Sequence, residues 1–455
     1  MDDITETEEQ SCHGAPCAPC EIAPTDPVAV GPAGKTDAAD GKPHSRKNYV
    51  LSIINGALFR AYAPFVDEHT IIPLLVRTLT TNSIFVGLAV GIRHAGWFIP
   101  QLFVANVVAG KRKKNPTYIF WGFVRIAALL GIVLSVLLSG AEHRALMLVL
   151  FLAFWAMLQL SAGMAGVSFM DVVGKTIHPT KLGSMWGFRF FFGGLSALGF
   201  GFLVGHVIVA YAFPYNYVFL FSAALIIMTI AIASWCFAHE EPDRHIRPKK
   251  NMSGLLREGV EILRSNPAFR SYYFACIIHA FYNATSAFFI VYALANEIIS
   301  GVLAAWLVVA KMTGLVLSNF IWARMLRGGD AKSAARVMTV VCLVGAALPF
   351  AVMFAATSAA GALSGYLFLF FYFLVGSLDG AWFMATKCGI IFITPEKNRP
   401  IYLGLMSTML GPVILALALT TGIIAQTISF EAIFILAAFA MIATLFFVRR
   451  IAKAA

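Results

Sequence analysis

Three strong cations interrupt long apolar stretches of this chain: Arg60 in GALFRAYAPF, Arg93 in GIRHAGW and Lys311 in VVAKMTG. Counted from the start of each stretch, Arg60 lies about twelve residues in, and Arg93 and Lys311 about eleven. At about 1.5 Å of helix per residue, all three reach one level, near the middle of a bilayer. A charge at that depth costs at least about 2.5–3.5 kcal/mol on insertion scales, so each asks for a function. Arginine offers a fork suited to carboxylate or phosphate, and lysine a point charge, so the chemistry open to them is capture of an anion. The competing reading is a structural ion pair, or a side chain that snorkels to a headgroup. Arg125, in a third stretch, fits that structural reading better.

Acidic and titratable groups could balance these cations and carry protons. Asp379 stands between glycines in GSLDGAW, and Asp67, Glu68 and His69 form a polar run expected near the outer end of the first apolar stretch, as a vestibule or a solvated helix end. Burial raises a carboxylate pKa and a nearby cation lowers it, so an arriving solute could switch a proton on or off. In HAFYNAT, the spacing puts His279, Tyr282 and Asn283 on one helical face, able to bond a solute or each other. Apart from these, SCHGAPCAPCE carries Cys12, His13, Cys17 and Cys20, soft ligands that could gather a zinc or copper ion. An unligated tail is the rival reading.

The elements that must position these groups follow from composition. Of 455 residues, 59% are hydrophobic and 13% charged, with a mean hydropathy of +0.79, whereas soluble domains carry roughly 25% charged residues. Backbone groups in lipid must bond internally, and the continuous apolar runs are long enough for helices of about 20 residues rather than alternating barrel strands. The expectation is an all-α membrane protein with twelve spans, beginning near residues 49, 83, 116, 144, 184, 216, 269, 301, 334, 360, 401 and 429. Residues 1–47 hold nine acidic and four basic residues and few large apolar ones, so they read as a disordered tail. They lack the basic start and apolar core of a signal peptide. Residues 48–238 and 269–455 read as two six-helix bundles, and 239–268 as a linker with a short amphipathic helix over 253–264.

Lysine and arginine in short connections stay cytoplasmic. They cluster in alternate connections, which puts both termini in the cytoplasm and the chain in the cell (inner) membrane, facing the lipid bilayer on all sides. The formal charge of +11 is explained by this pattern and not by nucleic acid. No phosphate-cradling loop or nucleophile motif is present, so neither an enzyme nor a cofactor is expected. The halves also resemble each other at an offset of about 218 residues: GIRHAGWFIPQ aligns with VAKMTGLVLSN, pairing Arg93 with Lys311 and Gly96 with Gly314. As repeat equivalents, Arg93 and Lys311 should face each other across a pseudo-two-fold axis, repelling unless an anion sits between them.

Six plus six spans, the basic loop GKRKK with its weak echo RGGDAK, and LLREGVEILRSNPAFR before the seventh span resemble the major facilitator superfamily over residues 48–450. The resemblance implies a monomeric rocker-switch transporter with its substrate held near the midplane, the first, fourth, seventh and tenth helices lining the cavity. In that superfamily the loop after the second span carries an Asp where this chain has Val107; Asp171 could supply the missing carboxylate to Arg112 or Arg189 at the gate. The expected function is alternating-access transport of a small, anionic solute coupled to protons or a counter-solute. Two alternatives stand beside it: a carrier of a metal ion or metal chelate assisted by the cysteine tail, and a membrane sensor that transports nothing.

Overall fold

A computed structural model describes residues 46–242, 252–328, 330–358, 362–394 and 399–454, and all regular structure among them is helical. Among the described residues, twelve helices are long and apolar enough to cross a membrane. In chain order they are Arg46–Leu79, Ser83–Val108, Asn115–Ser139, Arg144–Thr176, Ser184–Ala210, Tyr215–Cys236, Pro267–Ala295, Val302–Gly328, Ala331–Thr357, Leu363–Ile390, Met406–Thr427 and Phe430–Ala452. They start close to the positions expected from hydropathy, because span length is written locally in apolar run length. Phe123, Phe191, Phe320 and Phe354 point outward, more than half exposed, a surface suited to hydrocarbon. Twelve crossings bring both described ends to one side of the molecule, here called the terminal side; the opposite side is the far side. A further helix, Met252–Ser265, precedes the seventh span and packs on the eleventh.

Packing sorts the spans into two groups with matching internal contacts. The first span packs on the fifth and sixth, the second on the fourth, and the third on the fourth and sixth; the seventh packs on the eleventh and twelfth, the eighth on the tenth, and the ninth on the tenth and twelfth. Each contact in one group has its counterpart six spans later. The repeat-equivalent glycines do the same work in both. A Cβ on Gly96 would press on Gln159 of the fourth span, and one on Gly314 would collide with the Phe373 carbonyl of the tenth. Small residues let helix backbones close on each other, which is how helices associate where lipid already solvates apolar side chains.

The two groups meet mainly where the second span lies on the eleventh and the fifth on the eighth. Glycine recurs here too. Gly87 and Gly91 face Ala418 and Gly422, and Gly201 and Gly205 lie against Val309 and Ala305. On the far side the Ser83 N–H donates to Gln426 Oε1 at 2.7 Å across the seam.

Gly314→Ala tests the close packing of the eighth and tenth spans. The added methyl meets a backbone oxygen that cannot rotate away, so the variant should lose about 1–3 kcal/mol, the usual cost of overpacking. Thermal unfolding in detergent would measure it, and an unchanged melting temperature would refute the contact.

Candidate functional site

The first span does not end at its polar run; it breaks there and continues to Leu79. An α-helix covers Arg46–Tyr62, a 3-10 turn Ala63–Val66, and a second α-helix Ile71–Leu79. Pro64 supplies no N–H to the helical ladder, and Asp67 turns extended, with φ −63° and ψ 129°. Its Oδ1 then accepts the His69 N–H at 3.0 Å and the Thr70 hydroxyl at 2.8 Å, restarting the helix. The expectation that Asp67, Glu68 and His69 form a solvated helix end is therefore corrected. Asp67 and His69 are buried. The carbonyl freed at His69 accepts the Tyr372 hydroxyl at 3.0 Å, so a neighbouring span satisfies what the break exposes.

Onto this break reaches Lys311 from the eighth span. Its Nζ lies 2.7 Å from Asp67 Oδ2, 2.6 Å from His69 Nδ1 and 3.6 Å from Asp379 Oδ2. An ammonium group only donates. With Lys311 charged, His69 Nδ1 must accept, so the ring proton sits on Nε2, which is buried and lacks a partner among the described residues. Asp379 Oδ2 is also 3.6 Å from His69 Nδ1. Of the two carboxylates, Asp67 is sealed at 6% exposure while Asp379 keeps 24%. Three spans, two from one group and one from the other once the tenth is counted with the eighth, converge on one ammonium.

Glu68 points the other way, toward the second span. Its Oε2 lies 3.4 Å from Arg93 Nε and 3.4 Å from His94 Nε2. Arg93 and Lys311 thus do not confront each other across an open anion site as expected. The helix break sets a carboxylate in front of each, and the two cations are paired separately.

Arg60 differs. Its guanidinium lies 4.2 Å from the centroid of Phe190 in the fifth span, its carbon stem runs along Gly193, and it stays partly exposed. No salt bridge to a described carboxylate holds it. The next residue, Gly194, faces Val316 of the eighth span, so Arg60 stands at the junction of the two groups. Arg125 of the third span is buried over the Phe59 ring at 4.7 Å, its Nε without a hydrogen-bond partner among the described residues. Arg60, Arg93, Arg125 and Lys311 outnumber Asp67, Glu68 and Asp379 by one formal charge.

His279 lies flat on Trp382, ring centroids 3.6 Å apart and planes within 5°. Tyr282 is buried nearby, its ring 5.8 Å from His279 and its hydroxyl without a partner among the described residues. Asn283 is half-buried, and its backbone oxygen accepts the Ser286 hydroxyl. His94, Tyr372 and Trp382 were not singled out from sequence. Trp382 follows Asp379 by three residues, which on a helix puts both on one face, and that spacing was signal enough.

The gate pairing expected for Asp171 is corrected. Its Oδ2 lies 3.0 Å from both Lys114 Nζ and Lys175 Nζ, one helical turn from the latter. Arg112 is exposed, and Arg189 instead donates to the Ser52 carbonyl at 2.6 Å and the Ser52 hydroxyl at 2.9 Å, between the Phe169 and Trp186 rings. Asp171 therefore belongs to a terminal-side network in which buried Glu240 accepts the Lys114 and Asn115 N–H groups at the start of the third span, where a helix N-terminus favours an anion. Cys12, His13, Cys17 and Cys20 lie outside the described residues. Among the described ones, no three His, Cys, Asp or Glu side chains are grouped to hold a metal ion.

No protein-family model and no curated protein matches the chain. Solved structures do. A POT family transporter in complex with 5-aminolevulinic acid superposes with a TM-score of 0.63 at 12% identity, covering 89% of this chain and 96% of that one. The POT family transporter PepTSo gives 0.65 at 11%, covering 90% and 99%. A D-xylose-proton symporter gives 0.62 at 11%, covering 88% and 96%.

Proposed function

Because the chain has the transporter fold of the major facilitator superfamily, we propose that it is a monomeric secondary transporter moving a small anionic solute across the cytoplasmic membrane by alternating access, with protons as the coupling ion. The single observation that carries this is the ion cluster of Lys311, Asp67, His69 and Asp379, which ties one helix group to the other. Proton and anion support each other in this arrangement. Protonating the partly exposed Asp379 leaves Lys311 less neutralised and raises the excess positive charge at the group junction, where Arg60 offers its guanidinium to a carboxylate or phosphate. Binding of the anion in turn stabilises the protonated form, as reciprocity of linkage requires. The fold's occurrence in a D-xylose-proton symporter and in a transporter complexed with 5-aminolevulinic acid agrees with protons as the driving ion and with a small acid as cargo.

Lys111, Lys175, Lys181, Arg324 and Arg327 lie in or beside the terminal-side connections, which supports assigning that side to the cytoplasm. The far side, held by the ion cluster and the Ser83–Gln426 bond, then faces outward.

The test is thermal stabilisation of the purified protein by a panel of carboxylates, phosphates, metal ions and metal chelates, followed by uptake of the best ligand into proteoliposomes under a pH gradient. Stabilisation by metals alone would favour the metal reading, and binding without movement under any gradient would favour a sensor. The coupling predicts a sign for pH. Linkage of the anion to uptake of a proton means that anion affinity falls as pH rises, and Asp379→Asn should flatten that slope. A slope that survives in Asp379→Asn would remove Asp379 from the proton path.

A further inference from the structure

Arg93 keeps free the part of its side chain that best recognises an anion. At 3.6 residues per turn it falls midway between Gly96, which marks the face of the second span on Gln159 of the fourth, and Val90, which marks the face on Ala284 and Ala287 of the seventh. The fourth span belongs to one group and the seventh to the other, so the 37% exposure of the Arg93 side chain opens onto their junction. Only Nε is engaged, by Glu68. The two terminal nitrogens make no hydrogen bond or ion pair to a described residue, and they are not sealed from solvent as Glu68 Oε2 and His94 Nε2 are.

Glu68 holds its place loosely. Its Oε2 stands 3.4 Å from both Arg93 Nε and His94 Nε2, outside the about 2.7–2.9 Å of a charge-assisted hydrogen bond. Asp67, the residue before it, differs: it meets Lys311 at 2.7 Å, accepts two further hydrogen bonds and is 6% exposed, against 18% for Glu68. Of two neighbouring carboxylates, one is built into the helix break and the other only leans on its cation.

We infer that Glu68 is a tethered competitor at this fork, which excludes chloride and admits an oxyanion able to grip two nitrogens at once. The inference rests on the anion reading above and adds Arg93 to Arg60 as a second contact for the cargo's carboxylate or phosphate group. A carboxylate tethered beside its cation acts at an effective concentration on the order of millimolar or more. A monatomic ion meets that competition with a single point contact, whereas a carboxylate or phosphate brings two parallel bonds. Once displaced, Glu68 still has His94 beside it, so admission of the cargo leaves no carboxylate stranded.

Phenylglyoxal, which modifies accessible guanidinium groups, reads the fork without a known cargo. The full chain in detergent is treated in buffer alone and with sodium acetate, phosphate or chloride at equal ionic strength, and modification of Arg93 and Arg60 is followed by peptide mass spectrometry. In the parent, acetate or phosphate should slow modification of Arg93 and chloride should not. In Glu68→Gln, chloride should slow it too, and the rate in buffer alone should rise about two- to fivefold, the worth of a partly exposed ion pair. Glu68→Asp, which draws the carboxylate back by one methylene, should fall in between and serves should Glu68→Gln not fold. Chloride protection of Arg93 in the parent, or identical profiles in the parent and both variants, overturns the competitor. An Arg93 that resists the reagent in every protein overturns the open fork. Oxyanion protection of Arg60 alone overturns the Arg93 contact and leaves the anion reading intact, whereas protection of neither arginine overturns both.

Discussion

Lys311→Met should destabilise the protein by about 3–5 kcal/mol, the cost of leaving a buried ionised partner unpaired, and the purified variant should melt well below the parent. Asp67 is the partner left behind. At 6% exposure it would retain only the His69 N–H and the Thr70 hydroxyl. The double variant Lys311→Met with Asp67→Asn removes both charges together and should recover much of the loss, because the pair is expensive to break but cheap to replace. Beyond stability, Lys311 is the ammonium that joins the first span to the eighth and tenth. With it gone, spin labels at Glu142→Cys and Ile428→Cys, in a background freed of other cysteines, should report a longer-distance population as the far side opens. A single variant that melts like the parent and keeps its distances would refute the ion cluster as the tie between the groups.

Arg60→Ala carries the second large effect. A charge-assisted hydrogen bond contributes about 1.5–3 kcal/mol, so the affinity for the best anion of the panel should fall by about ten- to 150-fold. Arg60→Lys keeps the charge but not the fork and should fall in between. The Phe190 ring gives Arg60 a resting place without neutralising it, so the empty variant should stay folded and melt near the parent temperature. Titration by thermal shift measures both. Unchanged affinity in Arg60→Ala would remove the anion reading, while leaving the fold and the ion cluster intact.

How much of this was legible in advance depended on whether the signal was local. Apolar run length is local, so the spans emerged from the sequence one after another. The weak repeat was informative as well: aligning Gly96 with Gly314 anticipated two glycines that pack equivalent helix pairs. The polar triplet Asp67, Glu68 and His69 was ambiguous, since the same residues can end a helix or interrupt one. What decides is Lys311, 244 positions away, and a partner at that distance leaves no trace in the local pattern. Pro64 followed by a second apolar run with Pro73 was the overlooked sign that the chain continued through the membrane. The partner of Asp171 was misjudged for a related reason. Helix rotation chooses among Lys114, Lys175, Arg112 and Arg189, and one sequence does not set rotation. Burial separates the three cations as well: Lys311 is enclosed within the helix assembly, whereas Arg60 and Arg93 stay partly exposed.

The glycine contacts between the second and eleventh spans, and between the fifth and eighth, bear on how such a molecule can move at all. Interlocked side chains would have to disengage like gear teeth before one bundle could turn on the other. Gly87, Gly91, Gly201 and Gly205 present bare backbone instead, which suits the rocking of the two groups proposed above. In the proposed alternating-access cycle, freedom to rock would fall to these four glycines and strength of folding to glycines such as Gly96 and Gly314 that seal each bundle internally.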